Sequence, residues 1–368
     1  MVRKIILIAS FFMIMLSGIA IGETEYFEEN FKALFFDLFI TKELENPPIF
    51  EENPSKFIDI SNENDVKQKR AEAINHIWKM GNDIPKTNFP ELIEKNIDDN
   101  RFDDIVNLQQ IDKLTIDMKY DVNSIAYHFI PIESNNKIII YVQGHDGGFV
   151  LGKKTIEYFL REGYSIISFS MPLIGMNNQP IIETEVGKIK FSSHKYFEFL
   201  EAKNFSSLIY FFEPINSSLN YLEKNFDYAE YNAIGISGGG WTVTLYSAID
   251  ERISNTFSIA GGVPFFMRSL DKNFGDYEQR FNEFYQISNY LEFYLMASLG
   301  DDRKYVQIFN KFDPCCFSGD QFYIYEDDIK NKVSTIDEGY FTIYVDGKTR
   351  LHEISDFSLD KINTELKN

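Results

Sequence analysis

From about residue 114 onward, short apolar runs alternate with stretches of helical spacing. "LTIDMKY" and "SIAYHFIPI" switch between apolar and polar positions and are separated by "DVN", the pattern of an antiparallel pair. "KIIIYVQG" is a continuous apolar run ending in glycine, as a strand buried on both faces should be. A helix-like stretch ending near "FLREG" leads into "YSIISFS", a second buried strand. "YNAIGIS" is a third and is followed by the helix "GWTVTLYSAID". "NTFSIAGG", "YVQIFN" and "YFTIYV" each read as further strands. Strands alternating with helices predict an α/β fold built on a doubly wound, mainly parallel sheet.

Residues 23–113 follow a different pattern. "ETEYFEENFKALFFDLF" and "DVKQKRAEAINHIWKM" have helical apolar spacing, and the Pro-containing "ENPPIFEENPS" interrupts them. The expectation is a mainly helical N-terminal region without a catalytic motif, followed by a catalytic domain over 114–368. Two long connections interrupt that domain, one near residues 171–204 and one at 263–300. The second is dense in Phe and Tyr at helical spacing. It reads as a lid over a site, with aromatic helices packed on the domain as the alternative.

Composition narrows the function classes. The 368 residues, 44% of them hydrophobic, can bury one large α/β domain with an appendage. A formal net charge of −20 argues against nucleic acid and against docking on anionic lipid, both of which need clustered Lys and Arg. At the N-terminus, Arg3 and Lys4 precede the apolar residues 5–16, and small residues follow in "SGIAIG". Ala20 and Gly22 fit an A-x-A-like cleavage pattern, so residues 1–22 read as a signal peptide and the protein as exported, periplasmic or extracellular. An uncleaved N-terminal anchor is the alternative. The two cysteines, Cys315 and Cys316, are adjacent. They form neither a disulfide framework nor a Cys/His metal spacing, and are either two thiols or a bonded pair that stiffens its loop.

The chemistry concentrates at Gly235-Ile236-Ser237-Gly238-Gly239, a G-x-S-x-G sequence between a buried strand and a helix. A nucleophile elbow forces its serine into strained torsions, and flanking side chains would collide with the adjacent strand and helix. With "GISGG", the upstream "VQGHDGG", "AIDERI", "NKFD" and "HEIS", the chain resembles the α/β-hydrolase superfamily over roughly residues 114–368. The resemblance implies a chain order of Ser, acid, His at the carboxyl ends of sheet strands.

On that order Ser237 is the nucleophile, and His352, after the final strand "YFTIYV", is the base. Of the other four histidines, His76 and His128 read as structural. His194, in the first long connection, leaves an exposed or substrate-contacting role open, and His145 belongs to the "GHDGG" turn. The acid lies in "YVQIFNKFDPCCFSGD". Asp313, three residues after Asn310, fits the family's strand-end spacing, while Asp320 reads better as a helix cap. The oxyanion hole would use the backbone amides of Gly238 and His145. The family's usual His-Gly pair reads Gln143-Gly144 here, which removes any role for a preceding histidine but leaves the backbone donors. "GHDGG" alone supplies too few ligands for a metal and lacks the Lys-Ser/Thr ending of a phosphate loop. The implied activity is a serine hydrolase without metal or organic cofactor, acting on a carboxylic ester of a small molecule, an acylated carbohydrate or a lipid. A peptidase, a thioesterase or an acyltransferase would use the same parts, and a non-catalytic binding protein would keep the fold but lack a triad member.

Overall fold

The computed structural model describes residues 53–268 and 275–367. The expected signal peptide at 1–22 and the first helical stretch after it lie outside the described residues.

Continuous apolar runs became central strands. A nine-stranded sheet has the order β1-β2-β3-β5-β4-β8-β9-β10-β11. Its parallel core is β5 (Ser165–Phe169), β4 (Lys137–Val142), β8 (Glu230–Ile236), β9 (Ile253–Ile259), β10 (Lys304–Asn310) and β11 (Tyr340–Asp346). β1 (Leu92–Glu94), β2 (Leu108–Asp117) and β3 (Asn123–Pro131) extend it with antiparallel pairings, β3 joining β5. A separate hairpin, β6 (Ile181–Thr184) with β7 (Gly187–Lys190), occupies the first long connection.

β4 shows why its residues form a central strand. Ile138, Ile140 and Val142 enter the hydrophobic cluster on one face, and Ile139 and Tyr141 enter the cluster on the other. Side chains alternate at period two, so an uninterrupted β-branched run suits only a strand covered on both sides. One face is covered by α1 (Glu63–Trp78), α3 (Ile209–Asn225), α4 (Gly238–Ile249), α6 (Tyr290–Ser298) and α7 (Glu326–Ile336). The other is covered by α2 (Lys153–Arg161) and α8 (Asp356–Lys367); α5 (Asn282–Tyr285) is a single turn before α6. Each fully buried Ile contributes about 2 kcal/mol relative to exposure.

The boundary expected at residue 114 falls inside β2, and the described part of the preceding region, 53–113, is not mainly helical. Besides α1 and two short 3-10 turns it supplies β1 and most of β2. Lysine- and glutamine-rich segments such as "NLQQIDKL" have weak strand patterning, and pairing with β3 decides their state. α1 is fastened to the hydrolase-like part by polar bonds: the Arg70 guanidinium donates to the Ala248 carbonyl at 3.0 Å, and Trp78 Nε1 donates to Glu213 at 2.5 Å. The described residues form one compact unit.

In the second long connection α6 is buried along its whole length and is started by an Asn289–Glu292 capping box. The aromatic residues there pack against the elbow helix α4; Tyr285 and Tyr290 stack, and the Tyr285 hydroxyl accepts from Trp241 Nε1 at 2.6 Å. Among the described residues of this connection, Asp276 and Glu278 reach His145 in the turn after β4. No helix among the described residues is long and apolar enough to cross a membrane.

Candidate active site

Ser237 stands between β8 and α4 with φ 56° and ψ −126°. A non-glycine residue in this region is strained by about 1–3 kcal/mol, and the surrounding chain must hold it there. The Ser237 amide donates to the Ile259 carbonyl at 2.8 Å, and its carbonyl accepts from Trp241 at 3.0 Å. The neighbouring glycines allow the close approach. A Cβ on Gly239 would lie 2.0 Å from the Val142 carbonyl oxygen, and one on Gly238 would lie 2.3 Å from the His145 ring. The sharp turn leaves Gly238 as the first residue of α4, whose amide has no acceptor within the helix.

The turn after β4 lies against the elbow. A Cβ on Gly144 would meet the Ser237 Cβ at 2.8 Å, so this turn and Ser237 are in direct contact. His145, the next residue, packs its ring over Gly238. The structure thus brings Ser237, Gly238 and His145 together.

β10 and β11 run in register, with Asn310 opposite Asp346 at their carboxyl ends, so the loops that follow emerge side by side. Asp313 lies in the first loop and His352 in the second. Asp313 is buried; its Oδ1 accepts the amides of Cys315 (2.8 Å) and Cys316 (3.1 Å), and its Oδ2 accepts from His352 Nδ1 at 2.7 Å. A carboxylate only accepts, so the Nδ1 of His352 carries the proton and Nε2 keeps the lone pair in the neutral ring. Burial alone would lower the His352 pKa. The hydrogen bond and charge of Asp313 outweigh it, Asp146 adds to the rise and His145 opposes it, leaving the group above its ordinary value.

Asp320 is elsewhere: it forms an exposed ion pair with Lys311 at 2.5 Å. A disulfide joins Cys315 to Cys316, directly after the acid whose carboxylate binds both of their amides. His128 is buried against the Tyr228 hydroxyl at 2.9 Å, and burial pushes its pKa down to about 4, in keeping with a structural residue.

Three residues with no local sequence signal belong to this neighbourhood. Asn310 donates through Nδ2 to the carbonyls of Leu351 (3.3 Å) and Glu353 (2.9 Å), the residues on either side of His352. Glu278, fully buried, reaches His145 Nε2 at 2.9 Å and His194 Nδ1 at 3.1 Å. His194 is buried rather than exposed. Burial opposes a charge on Glu278, but His194 and His145 hold its carboxyl well below the ordinary range. Burial likewise pulls His145 down, and the bond to Glu278 more than reverses it. These residues come from segments 84 and 133 positions apart, and only the tertiary fold unites them.

A mainly parallel sheet, a strained serine on a strand-to-helix turn and an Asp–His pair after the last two strands define the α/β-hydrolase fold. Solved structures agree on that fold. The chain is similar to acetyl xylan esterase 1 from Thermoanaerobacterium sp. JW/SL YS485, at 12% identity and TM-score 0.55, covering 85% of this chain and 96% of that one. It is similar to a glucuronoyl esterase from Solibacter usitatus, at 11% identity and TM-score 0.56, covering 88% and 98%. An acetyl xylan esterase from Paenibacillus sp. R4 gives 10% identity and TM-score 0.55, covering 85% and 97%. No protein-family model matches the sequence, and no curated protein matches it.

Proposed function

We propose that this protein is a serine hydrolase of carboxylic esters, with Ser237 as nucleophile, His352 as general base and acid, and Asp313 as the carboxylate that orients it. The observation that carries the reading is the 2.7 Å His352–Asp313 contact, formed in the chain order that the strained Ser237 requires. Ser237 Oγ attacks the ester carbonyl while His352 Nε2 takes its proton. The tetrahedral oxyanion is held by the amides of Gly238 and His145. Collapse expels the alcohol, protonated by His352, and leaves an acyl-enzyme. Water, activated by the same imidazole, attacks it and releases the acid.

The ester preference draws on the structural neighbours, which are esterases by name, two of them acetyl xylan esterases and one a glucuronoyl esterase. A small-molecule or carbohydrate ester is the substrate class this supports. Export through residues 1–22 belongs to the same proposal, and N-terminal sequencing of the mature protein tests it: a start at Glu23 supports cleavage, a start at the initiator rejects it. A panel of p-nitrophenyl esters of increasing acyl length against aminoacyl anilides tests the chemistry. Ester turnover that disappears in Ser237→Ala supports the reading. Cleavage of anilides alone makes the protein a peptidase, and no turnover of either class favours a binding protein.

A further inference from the structure

Beside the serine, three metal-ligating groups that the ester mechanism does not use converge on one point. His145 Nε2, His194 Nδ1 and the two oxygens of Glu278 lie 3.1 Å (His–His), 2.9 Å and 3.1 Å apart. We infer that His145, His194 and Glu278 form a binding site for a divalent transition-metal cation of the zinc class.

The hydrogen-bond inventory supports this. His194 Nε2 lies 2.8 Å from the Pro172 carbonyl, which can only accept, so that nitrogen carries the proton. In the neutral ring the Nδ1 lone pair then points at the Glu278 carboxylate and at His145. Adding a proton to Nδ1 satisfies one Glu278 oxygen. His145 Nε2 must then also donate to the other, which sets two N–H groups face to face at 3.1 Å; if it does not donate, its lone pair opposes a carboxylate oxygen at 2.9 Å. A cation bound by the His145 Nε2 and His194 Nδ1 lone pairs and by Glu278 would take the place of the protons these three groups otherwise share. A single cation satisfies all three groups.

The spacing also suits a metal. Tetrahedral Zn²⁺ with bonds of about 2.0 Å has ligand–ligand edges of about 3.3 Å. The observed separations need to open by only a few tenths of an ångström. Two imidazoles and one carboxylate are the donors that zinc and its neighbours prefer, whereas magnesium and calcium take oxygen sets. The Nε2–H to Pro172 bond is the outer contact that orients a ligating imidazole. Asp276 Oδ2 stands 3.4 Å from His145 Nε2 on a side chain more than half exposed, which offers a fourth ligand and a route for the ion. The cation would tie the turn after β4, the first long connection and the second together beside Gly238. Its binding is separate from the ester chemistry and is read without it.

The test uses the purified protein, stripped of metal by chelator and titrated with Zn²⁺ against a chromogenic indicator, and with Co²⁺ as a spectroscopic probe. The expected result is one equivalent of Zn²⁺ and the visible d–d bands of a tetrahedral Co²⁺ site without a thiolate charge-transfer band. His194→Gln and Glu278→Gln should each weaken binding more than about 10-fold, while a Cys315→Ser/Cys316→Ser double variant keeps it. That control matters because Cys315, Cys316 and His352 form the other close group of ligand atoms among the described residues. Absence of Zn²⁺ binding overturns the inference. So does binding unchanged in both single variants, or lost in the cysteine variant. Where a variant does not fold, as judged by circular dichroism, the Co²⁺ spectrum of the wild type decides: tetrahedral N/O bands support the site, and a thiolate band or no band rejects it.

Discussion

At the residue scale the account rests on a few atoms whose surroundings fix their chemistry. Asp313 holds the His352 proton on Nδ1. Asp313→Asn keeps the shape but presents the wrong tautomer, so kcat for a p-nitrophenyl ester should fall by about 10³–10⁴ with little change in KM. The pH profile tests the electrostatics. Only neutral His352 can accept the serine proton, and the folded environment raises its pKa above the ordinary 6.5, with Asp313 and Asp146 raising it and His145 lowering it. The acid limb of kcat/KM should therefore rise with pH with a midpoint above 6.5. A midpoint below that value contradicts the assignment. Asn310 touches no substrate atom in this scheme; it braces the carbonyls flanking His352. Asn310→Ala should lower kcat about 10- to 100-fold, leave KM nearly unchanged and leave the pH midpoint in place, a split that general destabilisation does not produce.

At the scale of elements, the parts legible in the sequence were those whose signal is local. The β4 and β8 runs announce central strands because alternating residues must be apolar on both faces, and the glycines around Ser237 announce a turn that admits no Cβ. Asp313 and His352 were legible because they follow strands of known order. β1 and the start of β2 were not: their mixed polar composition becomes a strand only through pairing with neighbours. The meeting of Glu278 and His194 with His145 was invisible for the same reason, since the loops that deliver them have no sequence-local link to "GHDGG". The second long connection read as a lid, and its helix α6 proved instead to be core. Arg303 shows how that helix is held: its buried guanidinium donates to the carbonyls of Ile253, Ser247, Met296 and Leu299, the last three near the carboxyl ends of α4 and α6. Burial lowers it to about 10, so it stays charged near neutrality against the negative ends of two helix dipoles. Arg303→Met strands those carbonyls and should reduce unfolding stability by about 3 kcal/mol in urea titrations, while the folded enzyme keeps its KM.

At the scale of the whole molecule, one sheet aligns the machinery. In the proposed scheme β4 supplies the oxyanion turn, β8 the nucleophile, β10 the acid and β11 the base, all at carboxyl ends of parallel strands. The sheet order sets which loops meet, so the constellation follows from topology once the strands pair. The fold also hosts unrelated chemistries, which is why substrate class has to come from turnover and not from architecture. The central claim is that Ser237 is an activated nucleophile, and active-site labelling tests it most directly. The folded protein is treated with a fluorophosphonate probe and the adduct is located by peptide mass mapping. The account predicts one adduct, on Ser237, absent in Ser237→Ala and strongly slowed in His352→Ala. An unlabelled wild-type protein, or an adduct on any other residue, contradicts it.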